Sequence, residues 1–118
     1  MKTTATKKMV NLKDPKVVKE LICNAGGMYD DDKNWIPLES GKILGVVELA
    51  GYDKVCSVIV KAKYQSINEL YVDQDMKLHI SNWSSGGTFH GELNQENIDD
   101  YNKRQIFDSC KISSFVTM

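Results

Sequence analysis

The stretch ILGVVELAGYDKVCSVIVKA, residues 43–62, decides the fold class. Two β-branched runs, Ile43 to Ala50 and Val55 to Ala62, flank the polar tetrad Gly51-Tyr52-Asp53-Lys54. Strand formers on either side of a short glycine-containing turn predict a β-hairpin. Both runs are nearly continuous in apolar residues rather than alternating. This predicts central strands covered on both faces, or one face covered by another subunit.

Further strands are expected downstream at Ile67 to Val72, Lys77 to Trp83 and Thr88 to Leu93. Asp73-Gln74-Asp75 and Ser84-Ser85-Gly86-Gly87 read as the turns between them. Asn94 can cap a helix that runs to about Asp108, with Ile98, Tyr101 and Ile106 partly on one side. Ile112 to Val116 reads as a last strand. Upstream, Trp35, Ile36 and Leu38 suggest a short strand, which Pro37 demotes to an edge or a bulge. Met28 to Asn34 reads as a polar turn.

The sharpest helix signal lies before that turn. Asp14 is a cap, Pro15 suits a first turn, and Gly26-Gly27 supplies the stop. Val17, Val18, Leu21, Ile22 and Ala25 recur at helical spacing, so the helix is predicted over 15–25. Residues 1–13 are Thr- and Lys-rich and are expected to be a basic arm or an edge strand. The whole is an α+β domain over 14–118: an antiparallel sheet of about five to seven strands, with two helices packed on one side of it.

The chain has 118 residues, 42% hydrophobic and 26% charged, enough for a core without a metal or disulfide staple. Its formal net charge of −1 gives no general attraction to nucleic acid. Fourteen lysines stand against a single arginine, Arg104. Arginine is the residue that grips guanine or phosphate in two bonds, so specific DNA reading is not expected. Cys23, Cys56 and Cys110 are odd in number and widely spaced, which suits free thiols in the cytoplasm. No apolar run has the length of a membrane span or a signal peptide.

No motif passes a spacing test for catalysis or a cofactor. Asp30, Asp32 and Asn34 open like a calcium loop, but Trp35 stands where its glycine belongs and Gly41 where its glutamate belongs. His79 and His90 lie on expected neighbouring strands and could meet, with Glu92 as a third ligand. His90-Gly91-Glu92 has the spacing of a zinc deaminase, but the P-C-x-x-C half is missing. That trio is the residual enzymatic option, and the ordinary expectation for each histidine is structural. No metal and no cofactor is expected.

Two segments offer binding chemistry. Asn82, Trp83, Ser84, Ser85, Thr88, Phe89 and His90 mix aromatic faces with small polar groups around a double glycine. That composition suits a nucleotide-like anion or a protein partner, although aromatics in strands are more often core. Tyr29 and Trp35 bracket Asp30 to Asp32, an acidic–aromatic pattern that suits a basic partner. The plainer expectation there is a solvated turn with Trp35 buried. Three functions follow in order. The first is a non-catalytic protein of inhibitor or immunity type, a phage or bacterial accessory that binds and blocks another protein. The second is a small-ligand binder that sequesters or senses an anionic metabolite, as a homodimer or higher oligomer. The third is an enzyme built on the histidines.

Overall fold

The computed structural model describes residues 8–9, 14–40, 43–51, 56–61, 65–75, 77–80, 89 and 91–118. The predicted first helix, α1, spans Pro15–Ala25. The Asp14 side chain accepts from the Lys16 N–H, and Gly26 closes the helix at φ 76°, a left-handed conformation that glycine adopts without strain. Val18 and Ile22 point into the core and are fully buried, while Val17 and Leu21 remain partly exposed.

The predicted hairpin is β4, Ile43–Leu49, and β5, Cys56–Lys61, paired antiparallel from Ile43↔Val60 to Glu48↔Cys56. Six more strands are described: β1 Lys8–Met9, β2 Gly27–Tyr29, β3 Trp35–Pro37, β6 Gln65–Val72, β7 Leu78–Ile80 and β8 Ile112–Thr117. Hydrogen bonding links them in the order β3-β2-β7-β6-β5-β4-β8, with β1 alongside β6. The long β6 serves two neighbours in turn. Its Gln65–Glu69 half pairs β5, and its Leu70–Val72 half pairs β7 and β1. The fold is α+β and mostly antiparallel. The exception is β2, which runs parallel to β7 with Tyr29 opposite His79.

The sequence expectations need four corrections. Met28 and Tyr29 belong to a strand, not to the turn that follows. The turn proper is Asp30 to Asn34, where the Asp30 carboxylate accepts from the N–H groups of Asp32 and Asn34 at 2.9 and 2.8 Å. That internal capping is what the calcium-like spacing achieves. Second, the expected strand over 88–93 is not one: Gly91 to Asn94 forms bends, and Thr88 and His90 lie outside the described residues. Residues 81–83, expected to extend β7, also lie outside them. Third, helix α2 covers Gln95–Lys103, capped by Asn94 onto the Asn97 N–H, and stops before Asp108. Only Ile98 and Tyr101 of this short helix are buried. Ile106 and Phe107 are exposed, so nothing holds a further turn, and a 3₁₀ turn at Asp108–Cys110 leads into β8.

Fourth, the two helices lie on opposite faces of the sheet. Val46 and Val58 pack with α1, together with Met28, Leu70, Leu78 and Ile80. Their strand neighbours Val47 and Ile59 pack with Phe89, Leu93, Ile98 and Tyr101 of the α2 side. Successive strand residues face opposite ways, so both faces of β4 and β5 are covered. This accounts for the unbroken apolar runs from Ile43 to Ala50 and from Val55 to Ala62. Each buried Val or Ile contributes about 1.5–3 kcal/mol. Asn102 of α2 fastens its helix to β8, donating to the Ile112 carbonyl at 3.2 Å and accepting the Ile112 N–H at 2.9 Å.

Candidate functional site

Strand register alone builds the site. Tyr71 of β6 is opposite His79 of β7, His79 is opposite Tyr29 of β2, and Tyr29 is opposite Trp35 of β3. The four side chains therefore form one cross-strand row, Tyr71–His79–Tyr29–Trp35. Their strand neighbours Leu70, Leu78 and Met28 point the other way, into the α1 core. The row thus lies on the face opposite α1.

The rings touch in sequence. Tyr71 stacks on His79 with centroids 5.0 Å apart and planes within 9°. His79 and Tyr29 are 5.4 Å apart, and Trp35 meets Tyr29 edge-on at 5.0 Å and 64°. Such pairs contribute about 0.5–1.5 kcal/mol each beyond their buried area. Gly27 makes room for the indole. A Cβ at that position would stand 2.8 Å from Trp35 Cζ2. Contrary to the plainer expectation, Trp35 is not buried but 45% exposed.

His79 is the buried polar residue of the row. Its Nε2 donates to Asp73 Oδ2 at 2.7 Å. The other carboxylate oxygen accepts from the N–H groups of Asp75 and Lys77 at 2.8 and 3.0 Å. The Lys77 N–H foremost, then the His79 and Asp75 bonds, hold the Asp73 carboxyl below its ordinary range against the opposing effect of burial. An ionised Asp73 only accepts, so Nε2 carries the proton. Nδ1 of the same ring is buried without a hydrogen-bond partner. Burial, reinforced by the charges of Asp31 and Asp73, pushes the Tyr71 phenol up.

Charge gathers around the outer end of the row. Asp31 and Asp32 are exposed in the turn between Tyr29 and Trp35. Lys77 extends over Tyr29, with Nζ 5.5 Å from the ring centroid. Asp73, Lys77 and Tyr71 were not among the sequence candidates. The signal for them is the hairpin centred on Asp75, which sets Tyr71 against His79 and Asp73 against Lys77.

The other candidates fare differently. Phe89 is a core side chain, fully buried and 5.6 Å from the Tyr101 ring, so it offers no binding surface. Asn82, Trp83, Ser84, Ser85, Thr88 and His90 lie outside the described residues. Glu92 is exposed in the bends before α2, and the carboxylate that His79 meets is Asp73 instead. Among the described residues no three His, Cys, Asp or Glu side chains gather as metal ligands, and Cys23 and Cys110 are free thiols. No described helix is long and apolar enough to cross a membrane. Comparison with protein-family models, with curated proteins and with solved structures finds no match.

Proposed function

We propose that this chain is a non-catalytic binding protein that engages another protein, and blocks it by covering it, through the outer end of the aromatic row. Trp35 carries the proposal. It is a large aromatic held in place by Tyr29 and Gly27, yet 45% exposed beside an acidic turn. A rigid tryptophan loses little entropy on binding and is the commonest kind of interface anchor. Asp31 and Asp32 beside it favour a partner with a basic surface and steer its approach. An interface of ordinary size needs roughly 800 Å² on each partner, which a domain of this length supplies. The alternative, a small anionic ligand, has less support at this place, because the same carboxylates repel an anion.

The test uses tagged protein to capture its partner from source cells, followed by affinity measurement on the purified pair. Trp35→Ala is expected to weaken that affinity by about 30-fold or more. The double charge reversal Asp31→Lys/Asp32→Lys should slow association steeply at low salt. Glu96→Lys, at an exposed position of helix α2, is the control and should bind as the parent does. A partner whose affinity ignores both the tryptophan and the reversal would remove the proposal.

A further inference from the structure

We infer that the partner meets this face with an arginine, whose guanidinium takes the place of Lys77 over Tyr29. The inference rests on the reading of this face as an interface and names the chemistry that the interface accepts.

The first observation is that Tyr29 already holds a cation. Lys77 Nζ lies 5.5 Å from its centroid, within reach of a cation–π attraction. Lys77 is exposed and its side chain is long, so its ammonium can leave for water at little cost. Its backbone N–H stays on Asp73 whether or not the ammonium moves. The lysine is therefore a displaceable occupant, not a fixed part of the fold.

The second observation is the arrangement of the rings. Tyr29 and Trp35 stand at 64° to one another, two aromatic walls of a corner. A planar group can lie against such a wall over its whole area, whereas a spherical ammonium touches it at one point. The third is charge. The turn joining the two walls contributes the exposed Asp32, while Asp30 is engaged with the backbone of that turn. A guanidinium can stack on a ring and donate two parallel bonds to a carboxylate together. An ammonium is more strongly hydrated and lacks the fork. The corner thus favours arginine over the lysine that it holds by default.

The chain's own composition fits this division. Its single arginine, Arg104, sits elsewhere, beside Tyr101 and Asp100 of α2. No arginine of its own competes for the corner.

The experiment compares blocked tetra-arginine and tetra-lysine peptides of equal charge. Binding is followed by backbone amide and indole NMR, with the Trp35 indole signal assigned from Trp35→Phe. The expected result is tetra-arginine binding about three- to fivefold tighter than tetra-lysine, with shifts at Tyr29, Trp35 and Lys77. Lys77→Met, which vacates the ring without touching the Asp73 bonds, should tighten tetra-arginine further. Equal affinities for the two peptides, or shifts that spare Trp35, would overturn the arginine inference. Neither result touches the proposal that this face is an interface, which falls only if the natural partner ignores Trp35→Ala.

Discussion

Replacing His79 with Phe while removing Asp73 tests how the aromatic row is held. From the described residues the Asp73 side chain accepts three hydrogen bonds: from the N–H groups of Asp75 and Lys77, and from His79 Nε2 at 2.7 Å. The two backbone donors sit in an exposed turn and can turn to water, so their loss costs about 1–1.5 kcal/mol together. The His79 bond is different. The two side chains retain only 10% and 18% of their exposure, and Nδ1 already lacks a partner. Asp73→Ala strands both ring nitrogens in the stack, which adds about 2 kcal/mol. The single variant is thus expected to lose about 3–3.5 kcal/mol, the sum of those two contributions. His79→Phe keeps a flat ring between Tyr71 and Tyr29 and removes the orphaned Nδ1, so it should change stability by less than about 1 kcal/mol. In the phenylalanine background Asp73→Ala should cost only the turn bonds. Equilibrium urea unfolding at pH 7 reads all four proteins, provided the slopes agree. The double-mutant coupling is expected near 2 kcal/mol. Additivity within about 0.5 kcal/mol would refute the reasoning, since the histidine would then draw nothing from Asp73.

Acid titration gives a second expectation. The Asp73 carboxyl is held below its ordinary value of 3.8, so its stabilisation is complete above that pH and fades as pH falls through the depressed value. Asp73→Ala should flatten the stability curve below about pH 4. At the other extreme, burial raises the Tyr71 and Tyr101 phenols. Their contribution is full below the ordinary value of 10.0 and is lost above it, so absorbance titration should show late phenol ionisation coupled to unfolding. Third, Asn102→Ala removes both bonds to Ile112 and leaves that backbone pair without its side-chain partner. A loss of about 2 kcal/mol is expected, with amide exchange accelerating first at Ile112. Unchanged exchange there would mean that the Asn102 bonds do not hold this end of β8.

Local signals carried far in this chain. The limits of α1 follow from Asp14, Pro15 and Gly26, because a helix end is decided by the few residues that satisfy its open backbone groups. The hairpin of β4 and β5 follows from two β-branched runs around one turn. What depends on partners distant in sequence was not legible. Gly27 to Tyr29 is too short and too glycine-rich to announce a strand. It becomes one only because β3 and β7 present hydrogen-bonding edges on its two sides. The side of the sheet taken by each helix is likewise hidden, since an unbroken apolar strand looks alike from both faces. At the site, Tyr29 and Trp35 were visible as a pair flanking acidic residues. His79 was grouped on paper with His90 and Glu92 rather than with Asp73, because the register that sets Tyr71 against His79 is fixed only when β6 and β7 pair.

The exposure gradient along the row separates its structural end from its binding end. Tyr71 and His79 are 7% and 8% exposed, Tyr29 is half-buried, and Trp35 at the β3 edge is 45% exposed. Elsewhere on the same face Phe89 and the α2 residue Tyr101, equally aromatic, are buried in the core. Aromatic character alone therefore does not mark Trp35. What marks it is the combination of exposure with restraint: the ring is fixed by Tyr29 and seated over Gly27. The inner pair supplies that restraint, because His79 bonds Asp73 and stacks on Tyr71, and Tyr29 leans on His79. A side chain that is both held and open has already given up the freedom that binding would otherwise remove. The same logic sorts the carboxylates. Asp30 and Asp73 build their turns in the same way, each accepting the N–H groups two and four residues ahead. Asp31 and Asp32, both exposed, contribute to the charge that a partner meets beside Trp35. Reversing those two should therefore change association without unfolding the turn, whereas replacing Asp30 should open the turn and release the tryptophan with it.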